Sequence, residues 1–190
     1  MRNYLKNLSV KKGFTLIELL VVIGVLGVLA AALLVTINPL EQLARGRDSG
    51  RKSTVDQLGH AVEAYYVANS LYPAVGIPGW AAGAATWQGG LQSAGEVKIV
   101  SNNPAYASGY AQTCAAADFN HGNYCYGFSN GNPANAVVYG RAESLSEWSK
   151  AGCTGTQVAW EVWSSADGRT GLTCTANATT YPAVGITGLE

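Results

Sequence analysis

From Phe14 to Ile37 the chain is apolar at nearly every position, and Glu18 is the only charge in those 24 residues. As a helix the stretch would be about 36 Å long, enough to cross a bilayer with some tilt. A secretory signal peptide shares the basic start and the small residues of "LAAA", but its apolar core runs only about 7–15 residues. Asn38-Pro39 then predicts a kink, because proline removes one helical hydrogen bond. Past it the helical period resumes: Val55, Leu58, Val62 and the pair Tyr65/Tyr66 recur at spacings of three to four, a stripe meant for a packed domain. Arg45 to Asp56 is polar, as expected of a segment clearing a membrane surface, and Tyr72-Pro73 ends the pattern. Read as one helix from 14 to about 70, the run would be on the order of 85 Å long.

After Pro73 the pattern changes. "YPAVGIPGWAAGAATWQGG" is rich in turn formers, and "LQSAGEVKIVSNNP" predicts a short helix, then an extended piece closed by Pro104. Residues 135–145 and 156–165 cluster β-formers and predict strands. Asp167-Gly168 predicts a hairpin turn into a third strand ending at Cys174. The expected fold is α+β: a long N-terminal helix whose second half packs against a small antiparallel sheet. The hexapeptide "YPAVGI" occurs at 72–77 and again at 181–186; two copies that far apart do not make a repeat architecture.

Composition sharpens this picture. Only 13% of residues are charged and 23 are glycine, which fits an ordered, loop-rich head more than a disordered chain, since apolar and aromatic residues stay plentiful. The net charge of zero offers no basic footprint for nucleic acid. It conceals an asymmetry: Arg2, Lys6, Lys11 and Lys12 precede the apolar run with no acid among them, and their loss would leave eight basic residues against twelve acidic. Arg45, Arg47, Arg51 and Lys52 follow the run, so basic residues alone do not orient it. The four cysteines at 114, 125, 153 and 174 suit disulfides in an oxidising compartment and so favour an outward C-terminal domain. Three pairings are open to them. Cys114–Cys125 and Cys153–Cys174 close the modest loops and are the favoured pair, the first around a glycine- and asparagine-rich loop. A zinc site from Cys114, His121 and Cys125 lacks any usual spacing.

No catalytic constellation, phosphate loop or cofactor motif is present, and His60 and His121 sit in no recognisable motif. The five tryptophans, 80, 87, 148, 160 and 163, are expected mainly in the core. Asp167 and Glu161 are too few acids to suggest a metal in the C-terminal region, so no metal is expected. Asn177-Ala178-Thr179 matches a glycosylation sequon. Gly24, Gly27 and Ala31 fall near one face of the apolar helix, where another helix could approach closely. The unexplained feature is Glu18, since an isolated carboxylate in hydrocarbon costs several kcal/mol unless it is neutralised or paired.

A basic leader ending in Gly13, then Phe14, then a glutamate five positions into an apolar helix, resembles the type IV prepilin family, which includes pilins and the pseudopilins of type II secretion. The matching residues are Lys11, Lys12, Gly13, Phe14, Thr15, Leu16, Ile17, Glu18 and Leu19. "YYVANSLYP" at 65–73 looks like the helix end of major pseudopilins. Pro39 departs from the pattern, since many pilins kink within the apolar run and not at its end. The resemblance implies a leader at 1–13, a membrane-spanning and filament-core helix at 14–37, its amphipathic continuation at 38–72 and a disulfide-bonded head at 73–190. It implies cleavage after Gly13 by prepilin peptidase and methylation of the new Phe14 amine by the same enzyme. The chain is then a substrate and not an enzyme.

Glu18 would meet the Phe14 amine of a neighbouring copy, each charge offsetting the other's desolvation. The implied partners are copies of the chain, other pilin-like subunits and an inner-membrane assembly platform, with the precursor anchored in the cytoplasmic membrane and its head outside. A pilus, a secretion pseudopilus and a DNA-uptake filament all share this design. A membrane-tethered binding domain that never assembles is the alternative of another class, and it has no need of Gly13 or Glu18.

Overall fold

The computed structural model describes residues 13–74, 86–99, 104–107, 110, 114–116, 118–121 and 123–190. Leader residues 1–12, Trp80 and positions 75–77 of the first YPAVGI copy lie outside the described residues. The chain divides into two compact units, Met1–Pro39 and Leu40–Glu190.

In the first unit, α1 spans Leu16–Ile37. Its end is a break and not the expected kink: Asn38 takes a left-handed backbone, with φ at 43°, a conformation asparagine tolerates better than most residues. A second helix, α2 (Pro39–Asn69), starts directly afterwards, with proline at the first helical position, where its missing N–H has no partner to lose.

In the second unit, α2 buries Val55, Leu58, Ala61, Val62 and Tyr65 along one stripe, as its period predicts. The stripe packs on a five-stranded antiparallel sheet ordered β1 (Phe119–His121), β2 (Tyr124–Ser129), β3 (Asn135–Arg141), β4 (Val158–Ser164) and β5 (Arg169–Thr175). Strand alternation divides the sheet into two apolar faces. Tyr124, Tyr126, Ala136, Val138 and Trp163 join the α2 stripe, together with Trp87 and Leu91 of α3 (Trp87–Ala94). Cys125, Val137, Tyr139, Val158, Trp160 and Val162 form the opposite face, which is covered by Leu189, Trp148, Tyr181 and Ile186. The register places Tyr126 against Val138 and Val138 against Trp163, fixing which side chains meet α2.

β3, β4 and β5 fall where β-forming runs predicted them. The segment between Cys114 and Cys125, expected as a loop, instead contains β1 and the start of β2. Just past Cys125, Gly127 of β2 is a packing residue: a Cβ there would lie 2.6 Å from the Asp118 carboxylate. Two disulfides, Cys114–Cys125 and Cys153–Cys174, tie this hairpin and β5 to neighbouring loops; cross-links closing loops of this length stabilise by about 2–4 kcal/mol each. With its sulfurs in a disulfide, the Cys114/His121/Cys125 set has no thiolate to offer a metal.

The polar segment after Pro39 is also placed differently from expectation. Asp48 and Arg51 are buried, joined across the head by Glu143. Arg51 bonds Asp48 at 2.6 Å and Glu143 through its other terminal nitrogen, while Arg47 pairs with Glu143 at 2.6 Å. Asp48 further accepts the backbone N–H groups of Glu143 and Ser144. The residues read as membrane-clearing therefore lock α2 to the turn entering α4 (Leu145–Lys150).

One close approach has a measurable consequence. Trp163 lies on α2 at Gly59, where an added Cβ would come within 2.1 Å of the indole ring. Both partners are rigid elements of the core, so the clash is met by moving helix or ring. Gly59→Ala is expected to cost about 3 kcal/mol or more despite alanine's better helix propensity; thermal melts of the two chains check this, and an unchanged Tm would contradict it.

Candidate functional site

The residues singled out at the membrane boundary are contiguous, and the structure brings them together through a helix start. Thr15 is the N-cap of α1, with extended backbone (φ −81°, ψ 154°). Its hydroxyl oxygen accepts from the Glu18 N–H at 3.2 Å. Glu18 returns the interaction: its Oε2 accepts from the Thr15 N–H and from the Thr15 hydroxyl, both at 2.8 Å. This is a complete capping box, satisfying two donors that a helix start otherwise leaves open. Its sequence signal is Thr-x-x-Glu directly ahead of an apolar run, present at 15–18.

Gly13 and Phe14 lie just outside the helix, and Phe14 is 84% exposed. Nothing lies within 4 Å of where a Gly13 Cβ would stand, and its backbone is not left-handed. The chain's own described structure therefore makes no demand for glycine at 13. Along α1 every residue is exposed, although the mean hydropathy of its best window is 2.9. The polar side chains of the helix are Glu18 and Thr36, and both are satisfied internally, Thr36 by donating to the Ala32 carbonyl at 2.8 Å. That is the condition a helix must meet to enter hydrocarbon. Gly24 and Gly27 likewise have open space about them, so neither is demanded by packing within the described chain.

The family model of the prokaryotic N-terminal methylation motif matches residues 8–34. The chain carries the type IV prepilin signature. No curated protein sequence and no solved structure gives a match, so the prepilin assignment rests on the N-terminal motif, with an α+β architecture consistent with a pilin-like fold. The signature and the apolar helix together fit a single-pass inner-membrane precursor with an extracytoplasmic head. It implies processing by prepilin peptidase and assembly with pilin-like subunits.

The other candidate residues are dispersed. His60 is exposed on α2, 3.7 Å from Asp56. His121 is half-buried on β1, where burial holds its pKa below the usual value. Trp87, Trp160 and Trp163 are core residues, and Trp148 packs against the second cluster. Asp167 accepts from the Leu189 N–H at 3.1 Å and pairs with Arg169, which accounts for it as a turn residue. Asn177 is occupied in a local turn, accepting from Thr179 and Thr180.

Proposed function

We propose that this chain is a structural subunit of a type IV pilus-like filament. It is cut by prepilin peptidase between Gly13 and Phe14, methylated on the Phe14 amine, and assembled through α1 with copies of itself and other pilin-like subunits at an inner-membrane platform. Residues 1–13 are the leader and 14–37 the filament-core helix. The observation that carries the reading is the matched motif at 8–34, seated on a helix start that leaves Gly13 and Phe14 outside the helix and exposed.

The physical argument has two parts. Glycine at 13 answers to no requirement of the described chain, so its requirement is external. A protease that must bring the scissile backbone against its catalytic carboxylates supplies one. The second part is the 22-residue apolar helix with no buried residue. In water that surface is unfavourable by roughly 25 cal/mol per Å²; lipid covers it before assembly, and neighbouring helices cover it afterwards. Glu18 is the ion-pair partner of a neighbour's Phe14 amine in that assembled state.

Gly13→Leu tests the processing step. The chain is expected to accumulate at precursor length in the membrane, with less than about a tenth of wild-type cleavage, the loss corresponding to a misfit of 1.4 kcal/mol or more in the transition state. Immunoblotting against a cleaved standard reads this, and normal cleavage of the variant would reject the site. The head of the variant should melt as wild type does, because nothing in the described structure contacts position 13.

A further inference from the structure

Three leucines of the second unit stand open to solvent near the start of α2. Leu40 and Leu43, in its first turns, are 75% and 60% exposed, and Leu145, the first residue of α4, is 66% exposed. None of the three belongs to either apolar cluster of the head. The fold brings Leu145 to the other two from more than 100 positions away: the Glu41 carboxylate accepts the N–H groups of Leu145 and Ser146, each at 3.2 Å. Helical side chains lean toward the N-terminus of their own helix, so Glu41 holds the start of α4 at the Pro39 end of α2. We propose that Leu40, Leu43 and Leu145 form a lipid-docking patch, which seats the head on the extracytoplasmic face of the bilayer that α1 crosses.

Chain connectivity supplies the occupant. Leu40 follows Ile37, the last residue of α1, by three residues, and three peptide units reach no further than about 11 Å. The polar layer on each side of the hydrocarbon is itself roughly 5–8 Å deep. Leu40 therefore lies in or just above that layer, whatever angle α2 takes from the break at Asn38. A leucine there is stabilised by entering the acyl boundary, since full burial of such a side chain is worth about 1.5–3 kcal/mol.

The rim of the patch suits a phospholipid surface. Arg45 and Lys150 are exposed, line one cavity together with Ser146, and pair with Glu41 and Glu147. Long basic side chains at such a boundary lay their stems on apolar surface and keep their charges among the phosphates.

The proposal rests on the reading of α1 as a bilayer span, and the test separates the two. The four native cysteines are paired in disulfides, so an introduced cysteine is a single labelling site. Full chains carrying Leu145→Cys, Leu43→Cys or, as the control, Val67→Cys are labelled with a nitroxide. They are reconstituted in vesicles of phosphatidylethanolamine and phosphatidylglycerol. Val67 is just as exposed, at 76%, but stands about 36 Å further along α2 than Leu43. Power saturation then reads collisions with oxygen, which concentrates in lipid, and with a polar nickel chelate, which stays in water. Positions 145 and 43 are expected to meet the chelate at least about threefold less than 67 does, and oxygen more.

Chelate access at 145 or at 43 equal to that at 67 overturns the proposal. So does protection of 145 from both reagents, which would mean a protein cover such as a second copy. Washing the vesicles with alkaline carbonate tells the two readings apart. Release of the chain would overturn the anchoring by α1, and the patch with it. A retained chain with 145 open to the chelate overturns the patch alone.

Discussion

A chain carrying Glu18→Ala is expected to be cut after Gly13 as wild type is, yet to enter filaments at less than about a tenth of the wild-type level. Processing acts on the segment around Gly13, outside α1, which the substitution leaves in place. Assembly is different, because two ionised groups must be brought into a medium of low dielectric, where each charge alone is costly and only the pair offsets it. Losing the carboxylate leaves the new Phe14 amine without its partner, and 1.4 kcal/mol of lost pairing already amounts to tenfold.

The capping box complicates that result in a useful way, since Glu18 is bonded to Thr15 in the uncut chain. Alanine removes both the charge and the carboxylate's half of the capping box, the two hydrogen bonds it accepts from Thr15. Glu18→Gln separates them, because glutamine serves the same capping position but pairs with no ammonium. Filament loss in both variants is expected. Normal assembly of Glu18→Gln would show that capping and not charge is what assembly requires. Cleavage also leaves Phe14 directly beside Thr15, so Glu18's own terminus competes with a neighbour's for the carboxylate.

The second large effect is in the head. Arg51→Met is expected to cost about 3–5 kcal/mol, as breaking a buried pair does, and to lower Tm by on the order of 10 °C. Methionine fills much of the volume, so the cost is electrostatic: Asp48 and Glu143 stay buried without their shared cation. The pH dependence has a definite sign. Burial pushes the Glu143 carboxyl up, but the hydrogen bonds from Arg47 and the Ala107 N–H and the charge of Arg51 outweigh it, so the folded pKa lies below the ordinary 4.5. Glu143 therefore contributes stability above the unfolded value near 4.5, lost as pH falls through its folded value. Without Arg51 the Glu143 carboxylate is easier to protonate in the folded state. The gap between variant and wild type should thus be widest above about pH 5 and narrow below about pH 4. Denaturant melts at pH 7 and pH 3.5 measure it, and a gap under about 1 kcal/mol at pH 7 would refute the network's role.

The N-terminal half of this picture was legible because it depends on local rules. A long apolar run, one carboxylate and the motif around Gly13 need no tertiary information, and the α2 stripe of Val55, Leu58, Val62 and Tyr65 follows from helical period alone. β3 to β5 were legible as β-forming runs with a turn at Asp167-Gly168. What escaped the sequence depends on long-range partners. Asp48 and Arg51 read as solvated because most charges are; only Glu143, more than 90 positions away, gives them a reason to be buried. The need for glycine at 127 and 59 comes from the Asp118 carboxylate and the Trp163 ring, which only the fold places against them. Glu161 sits in a strand whose seven residues are all buried, a pattern that gives no alternation to mark its carboxylate as buried without a hydrogen-bond partner. The Thr15–Glu18 cap was local and could have been read.

The central claim, that this chain is a prepilin whose mature form begins at Phe14, is tested most directly by mass spectrometry of the N-terminal peptide of the protein recovered from cells with an active prepilin peptidase. The expected result is a peptide beginning at Phe14 whose amine carries one methyl group, with no peptide spanning Gly13 and Phe14. A chain retaining residues 1–13, or one cut elsewhere, would contradict it.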